Sequence, residues 1–122
     1  MKRSILLFTF FFSLIVLTQS CKKENGITVK KEQTVNATIK KNQSFQYNFG
    51  LIGIEDGLAI SSQASHSDES MLSRDNSDKI IYTYQPRLDY TGTDQVEITF
   101  SMSNGYSVVS TRKTIFKFNI TE

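Results

Sequence analysis

This chain has little of what many small domains use to hold themselves together or to do chemistry. Its 122 residues include one Cys, one His, one Pro and no Trp. One Cys excludes an internal disulfide framework, so any folded domain is held by its apolar core. One His with one Cys cannot complete a tetrahedral zinc site, and no D-x-D-x-D-G calcium loop is present. Nor, beyond the first 26 residues, is there a window of helical length with apolar residues at i, i+3, i+4 and i+7. The length allows one domain of ordinary size. With 39% apolar and 21% charged residues, disorder, collagen and coiled coil are excluded as well.

Long apolar runs are also scarce. The longest, Ile5 to Leu17, follows the positive pair Lys2 and Arg3. As a helix of 13 residues it would reach about 20 Å, against a hydrocarbon core of about 30 Å. Residues 1–20 therefore read as a cleaved export signal, not a permanent span. The run ends in Leu17-Thr18-Gln19-Ser20-Cys21. This resembles a relaxed lipobox of bacterial lipoproteins. The resemblance implies cleavage between Ser20 and Cys21 and a lipid on the Cys21 sulfur, leaving the membrane as a partner through that lipid. Because Lys22 and not Asp follows the Cys, it further implies an outer-membrane destination, and Lys22-Lys23-Glu24 is similar to the charged tract of surface-exported lipoproteins. A lone exported thiol has no disulfide partner, and lipidation would account for it.

Without Lys2 and Arg3 the 14 basic side chains become 12, equal to the 12 acidic ones. A balanced charge gives no electrostatic footprint for nucleic acid. Residues 21–26, CKKENG, read as a polar tether, and residues 27–122 as the domain.

Within that domain the apolar period is 2. Ile27 and Val29 suggest a short first strand, then Val35, Ala37 and Ile39 a second segment, and Phe45, Tyr47 and Phe49 a clean third. Leu58 with Ile60, and Ile80 with Tyr82 and Tyr84, mark two more, Pro86 ending the latter for want of an N–H. Residues 65–78, SHSDESMLSRDNSD, read as one hydrophilic loop with a strand fragment at Met71-Leu72. Val96, Ile98, Phe100 and Met102 alternate up to Asn104-Gly105, a type I′ hairpin signal, and Thr114, Phe116, Phe118 and Ile120 alternate on the return. Between those alternations, residues 109–113 suggest a bulge. About seven short strands predict an all-β, antiparallel sandwich.

The run Tyr84-x-Pro86-x-x-x-Tyr90-x-Gly92-x-Asp94, with the strand and Asn104-Gly105 turn after it, resembles bacterial immunoglobulin-like or cadherin-like repeats. That resemblance implies an immunoglobulin-like sandwich and no particular ligand. The residues make sense on their own as a structural corner. Pro86 stops a strand, Tyr90 tucks beneath a crossing loop, Gly92 permits φ > 0 and Asp94 accepts backbone N–H bonds in an Asx-type turn.

Other candidate sites are thin. His66 with Asp68, Glu69 and nearby serines lacks any nucleophile motif and reads as an exposed loop histidine, so no catalytic residue is assigned. Asp68, Glu69, Asp75, Asn76 and Asp78 offer hard oxygens of the kind calcium takes, but a charged solvated loop is the favoured reading, and no cofactor is assigned. Asn36, Asn42 and Asn119 head glycosylation-like triplets that read as strand and turn residues. Tyr82, Tyr84 and Tyr106 are the aromatic candidates for contacting a partner. The sequence thus predicts a non-enzymatic envelope lipoprotein whose one domain binds or adheres to a protein or carbohydrate partner. A structural spacer or accessory subunit is the alternative, and a hydrolase the least supported.

Overall fold

The computed structural model describes residues 29–122, which form seven strands and, among them, no helix. They are β1 (Val29–Lys40), β2 (Phe45–Gly50), β3 (Gly57–Ser62), β4 (Ser67–Arg74), β5 (Ile80–Pro86), β6 (Gly92–Ser103) and β7 (Val108–Thr121). Two sheets result, ordered β1-β7-β6-β3 and β2-β5-β4. This is the immunoglobulin-like sandwich, with the first strand moved onto the sheet that holds the last. All pairs are antiparallel except β1 with β7, which runs parallel from Val29↔Ser110 to Lys40↔Thr121. A parallel partner needs a long crossover, and here the whole domain between the two strands supplies it.

Period 2 explains most of the layers. Tyr82 and Tyr84 of β5 meet Val96 and Ile98 of β6 and Phe116, Phe118 and Ile120 of β7, with Ile39 of β1, in one fully buried cluster. Tyr84 stacks flat on Phe118, ring centres 3.9 Å apart. Tyr47 and Phe45 of β2 meet Phe116 edge-on at 5.0 and 5.9 Å, closing the sandwich from the opposite sheet. Such offset and edge contacts each add about 0.5–1.5 kcal/mol beyond area burial.

Three local expectations are corrected and a fourth holds. The two segments expected at the start are one continuous strand, β1, within the described residues. The hydrophilic stretch expected as a loop contains a full edge strand, β4, whose register on β5 runs from Ser67↔Pro86 to Arg74↔Ile80. On an edge, Ser70 and Leu72 suffice as inward residues, and a polar outer face keeps the edge from pairing with other chains. Asn104-Gly105 does not form a two-residue type I′ turn. Only Gly105 takes positive φ (83°), and residues 104–107 make a longer loop in which Asn104 Oδ1 accepts the Tyr106 and Ser107 N–H groups. The bulge expected within residues 109–113 of β7 is present, at Val109. The strand's register with β6 runs from Ile120 to Ser110 and then shifts, Met102↔Ser110 being followed by Ser103↔Val108, so that Val109 is the extra residue and the alternation changes face there.

The registers place the connections at two poles. Residues 51–56, 75–79 and 104–107 lie at the first pole, where β1 begins. Residues 41–44, 63–66 and 87–91 lie at the opposite pole. Phe116, on the larger sheet, meets the Tyr47 and Tyr82 rings of the facing sheet, so Phe116→Ala should lower the unfolding free energy by about 3–5 kcal/mol in denaturant titration. A loss below about 1 kcal/mol would show that this ring does not join the sheets.

Candidate functional site

The chemistry of the opposite pole is organised by one carboxylate. Asp94 sits near the start of β6 with its side chain 3% exposed. Its Oδ1 accepts the N–H groups of Ser65 (3.0 Å) and Gln95 (2.9 Å). Its Oδ2 accepts the His66 N–H and the Tyr84 hydroxyl, each at 2.9 Å. Burial is the largest influence on the carboxyl and would raise its pKa. The four donors together outweigh it and hold the group below its usual value of 3.8. For Tyr84, burial first and then its bond to Asp94 push the phenol far upward, so it stays a neutral donor. Burial also lifts the Tyr82 hydroxyl to about 12, against a smaller lowering by Ser70.

Asp94 therefore does more than the local Asx-type turn read from the sequence. It reaches 29 residues back to Ser65 and across the sandwich to β5. Tyr90, in the β5–β6 connection, donates its hydroxyl to the Thr93 carbonyl at 2.8 Å. Gly92 has φ 134°, and a Cβ there would stand 2.9 Å from the Tyr90 hydroxyl. Pro86 is buried at the end of β5. The structure thus brings Tyr84, Asp94, Tyr90 and Gly92 into one corner, and adds Ser65 and His66 to it.

His66 lies in the β3–β4 connection as expected, with its side chain 37% exposed, but its ring is held in place. Its ring lies flat on Tyr90, centroids 3.9 Å apart, and its Nδ1 is buried, without a hydrogen-bond partner, 3.9 Å from Asp94 Oδ1. Nothing in the sequence announces this. The ring is held because its own backbone N–H is bound to Asp94, a link between positions far apart in the chain. Beside the corner, on the outer face of the larger sheet, lies an open groove of about 690 Å³. Asn36 and Thr38 of β1, Gln95 of β6 and Lys117 and Asn119 of β7 line it, a surface of amides and hydroxyls that suits a polar partner.

The remaining candidates separate. Tyr82 and Tyr84 are core, whereas Tyr106 is exposed at the first pole. Among the described residues no group of three or more His, Asp or Glu side chains converges as a metal site. Asp75 is occupied by the Ser77 and Lys79 N–H groups in the turn that holds Asp78 at φ 59°. Asp68 and Glu69 point outward from β4, Asn76 is exposed, and the triplet residues Asn36, Asn42 and Asn119 are exposed on strand or turn. Ser20 and Cys21 lie outside the described residues.

No family model matches the chain, and no curated protein does. Some solved structures are similar in outline. A cysteine protease inhibitor, EhICP2, from Entamoeba histolytica is 12% identical with a TM-score of 0.46, over 78% of this chain and 98% of that one. The endo-fucoidan hydrolase MfFcnA4, from glycoside hydrolase family 107, is 13% identical with a TM-score of 0.47 over 73% of this chain. MfFcnA9, of the same family, is 11% identical with a TM-score of 0.42 over 80%. The chain spans 13% and 16% of the two hydrolases' lengths. At that level the likeness assigns neither activity nor ligand.

Tyr84→Phe removes one of four donors to a buried anion and should cost about 1.5–3 kcal/mol of stability. Asp94→Ala strands four donors and should cost more, about 3–5 kcal/mol. Both are read by denaturant unfolding at neutral pH, and equal, sub-kilocalorie losses would dissolve the corner as a structural unit.

Proposed function

We propose that the chain is a lipoprotein of the bacterial outer membrane, anchored through a lipid on Cys21, whose sandwich is a non-enzymatic binding module. The order of positive residues, short apolar run, Ser20 and Cys21 supports the anchor. The observation that carries the binding role is the placement of the polar groove. The chain enters the domain at the first pole, and the groove of Asn36, Gln95 and Asn119 lies toward the opposite one, beside a corner rigidified by Asp94. A module tethered at one end and recognising a protein or carbohydrate at the other needs this separation.

The same geometry weighs against hydrolysis as the role. The one imidazole is stacked on Tyr90 with its Nδ1 turned toward Asp94, and Asp94 is engaged by four other donors. A general base must be free to take a proton from a nucleophile in its reach.

Two acyl signals or more are needed for stable attachment, each buried methylene contributing about 0.8 kcal/mol. Cells grown with labelled palmitate should therefore mark the wild-type chain and leave Cys21→Ala unlabelled and released from the membrane fraction. Equal labelling of both, or none of either, would remove the anchor.

A further inference from the structure

The two poles differ in what they expose. At the first pole Ile54 is 101% exposed, Tyr106 98%, Leu51 68%, Val108 47% and Met102 43%. These come from the β2–β3 connection, the β6–β7 loop and the strand ends beside it, so separate parts of the chain deliver apolar side chains to one end. Between Leu51 and Met102 opens a cleft of about 300 Å³ that reaches Phe49, Ile52 and Phe100. The opposite pole exposes Leu88. Isolated exposed apolar residues are normal, but several gathered on neighbouring loops mark an interaction surface.

Chain length says what meets it. From Cys21 to Val29 is eight residues, at most about 26–29 Å when fully extended. Val29 is paired with Ser110, and β7 continues eleven residues further to Thr121, about 36 Å along the sandwich. A lipid on Cys21 therefore keeps the first pole within reach of the bilayer and cannot bring the opposite pole to it.

We propose that the first pole rests in the bilayer interface, with Leu51, Ile54 and Tyr106 seated among the lipid headgroups. This rests on the anchoring reading above. Tyr suits that depth, since its ring is apolar and its hydroxyl stays wet. Lys30, Lys31, Arg74, Lys79 and Arg112 share this end with Glu55, Asp56, Asp75 and Asp78, so the net charge there is small. The contact is apolar rather than electrostatic and holds at high salt. Seated this way, the domain is fixed in orientation and its polar groove faces away from the lipid.

The test uses the acylated mature protein in phosphatidylethanolamine–phosphatidylglycerol vesicles, its acylation verified by mass spectrometry. Ile54→Cys, Tyr106→Cys and Leu88→Cys are prepared separately, and each new thiol carries an environment-sensitive fluorophore. The substituted side chains are exposed, so folding is not at stake. Fluorophores at 54 and 106 should shift to the blue and be quenched by nitroxide-labelled lipid, unchanged in high salt, while that at 88 does neither. Vesicle-bound protein without quenching at 54 and 106 overturns the proposal and leaves the anchor standing. A blue shift that appears without lipid as protein concentration rises assigns the pole to a second copy, and one that appears only with added envelope proteins assigns it to a protein partner; both overturn it. A mature chain without lipid mass on Cys21 fails the anchor by its own readout and takes this proposal with it.

Discussion

A single buried carboxylate, held as an anion by four donors, governs how this sandwich is put together at one end. Removing such a charge from water costs several kcal/mol unless it is fully hydrogen-bonded. Asp94 meets that condition only when β6, the β3–β4 connection and β5 are all in their native places, because the donors come from Gln95, from Ser65 and His66, and from Tyr84. A partly assembled corner would bury the charge with donors missing. The carboxylate therefore acts less as a source of net stability than as a constraint that selects one arrangement of the connection against the strands.

Other features follow from it. Tyr84, fixed through its hydroxyl, lays its ring on Phe118, and Phe118 meets Phe45 of the facing sheet at 5.3 Å. The aromatic layer is thereby registered to the polar corner. The same bonds hold the Ser65-His66 backbone and present one wall of the amide-lined groove. At the first pole no comparable buried charge is tied among the described residues. Asp56 accepts Gly53 and Ser103 N–H groups from the outer part of a loop, and the apolar tips of that loop remain in solvent. The molecule thus has one end shaped by polar constraint and one left apolar, which suits a domain held by one end and working with the other.

Much of this was legible from residue order. Strict alternation in SFQYNF, KIIYTYQ, residues 96–102 and residues 114–120 reports the buried faces directly, because one face of each strand must be apolar. The Tyr84 to Asp94 spacing pointed to the corner. β4 was illegible because an edge strand needs few inward apolar residues, and its SDES segment resembles any polar loop. Asp94's partners were hidden for another reason: a bond to the Ser65 N–H is a contact between positions 29 apart, with no local signal in either. The gathering of Leu51, Ile54 and Tyr106 at one pole likewise depends on topology, since residues far apart in the chain become neighbours only when the strand order is known. Cys21, by contrast, is argued from the sequence alone.

The most direct test of the central constraint is the stability difference between the wild type and Asp94→Asn as pH falls from neutral to about 2. A carboxyl whose folded pKa is depressed stabilises fully above its unfolded value near 3.8 and loses that contribution as pH drops toward the lower folded value. The difference should be constant and several kcal/mol at neutral pH, and shrink steadily below about pH 4. A difference that does not change with pH, or is absent at neutral pH, would contradict the anionic tie.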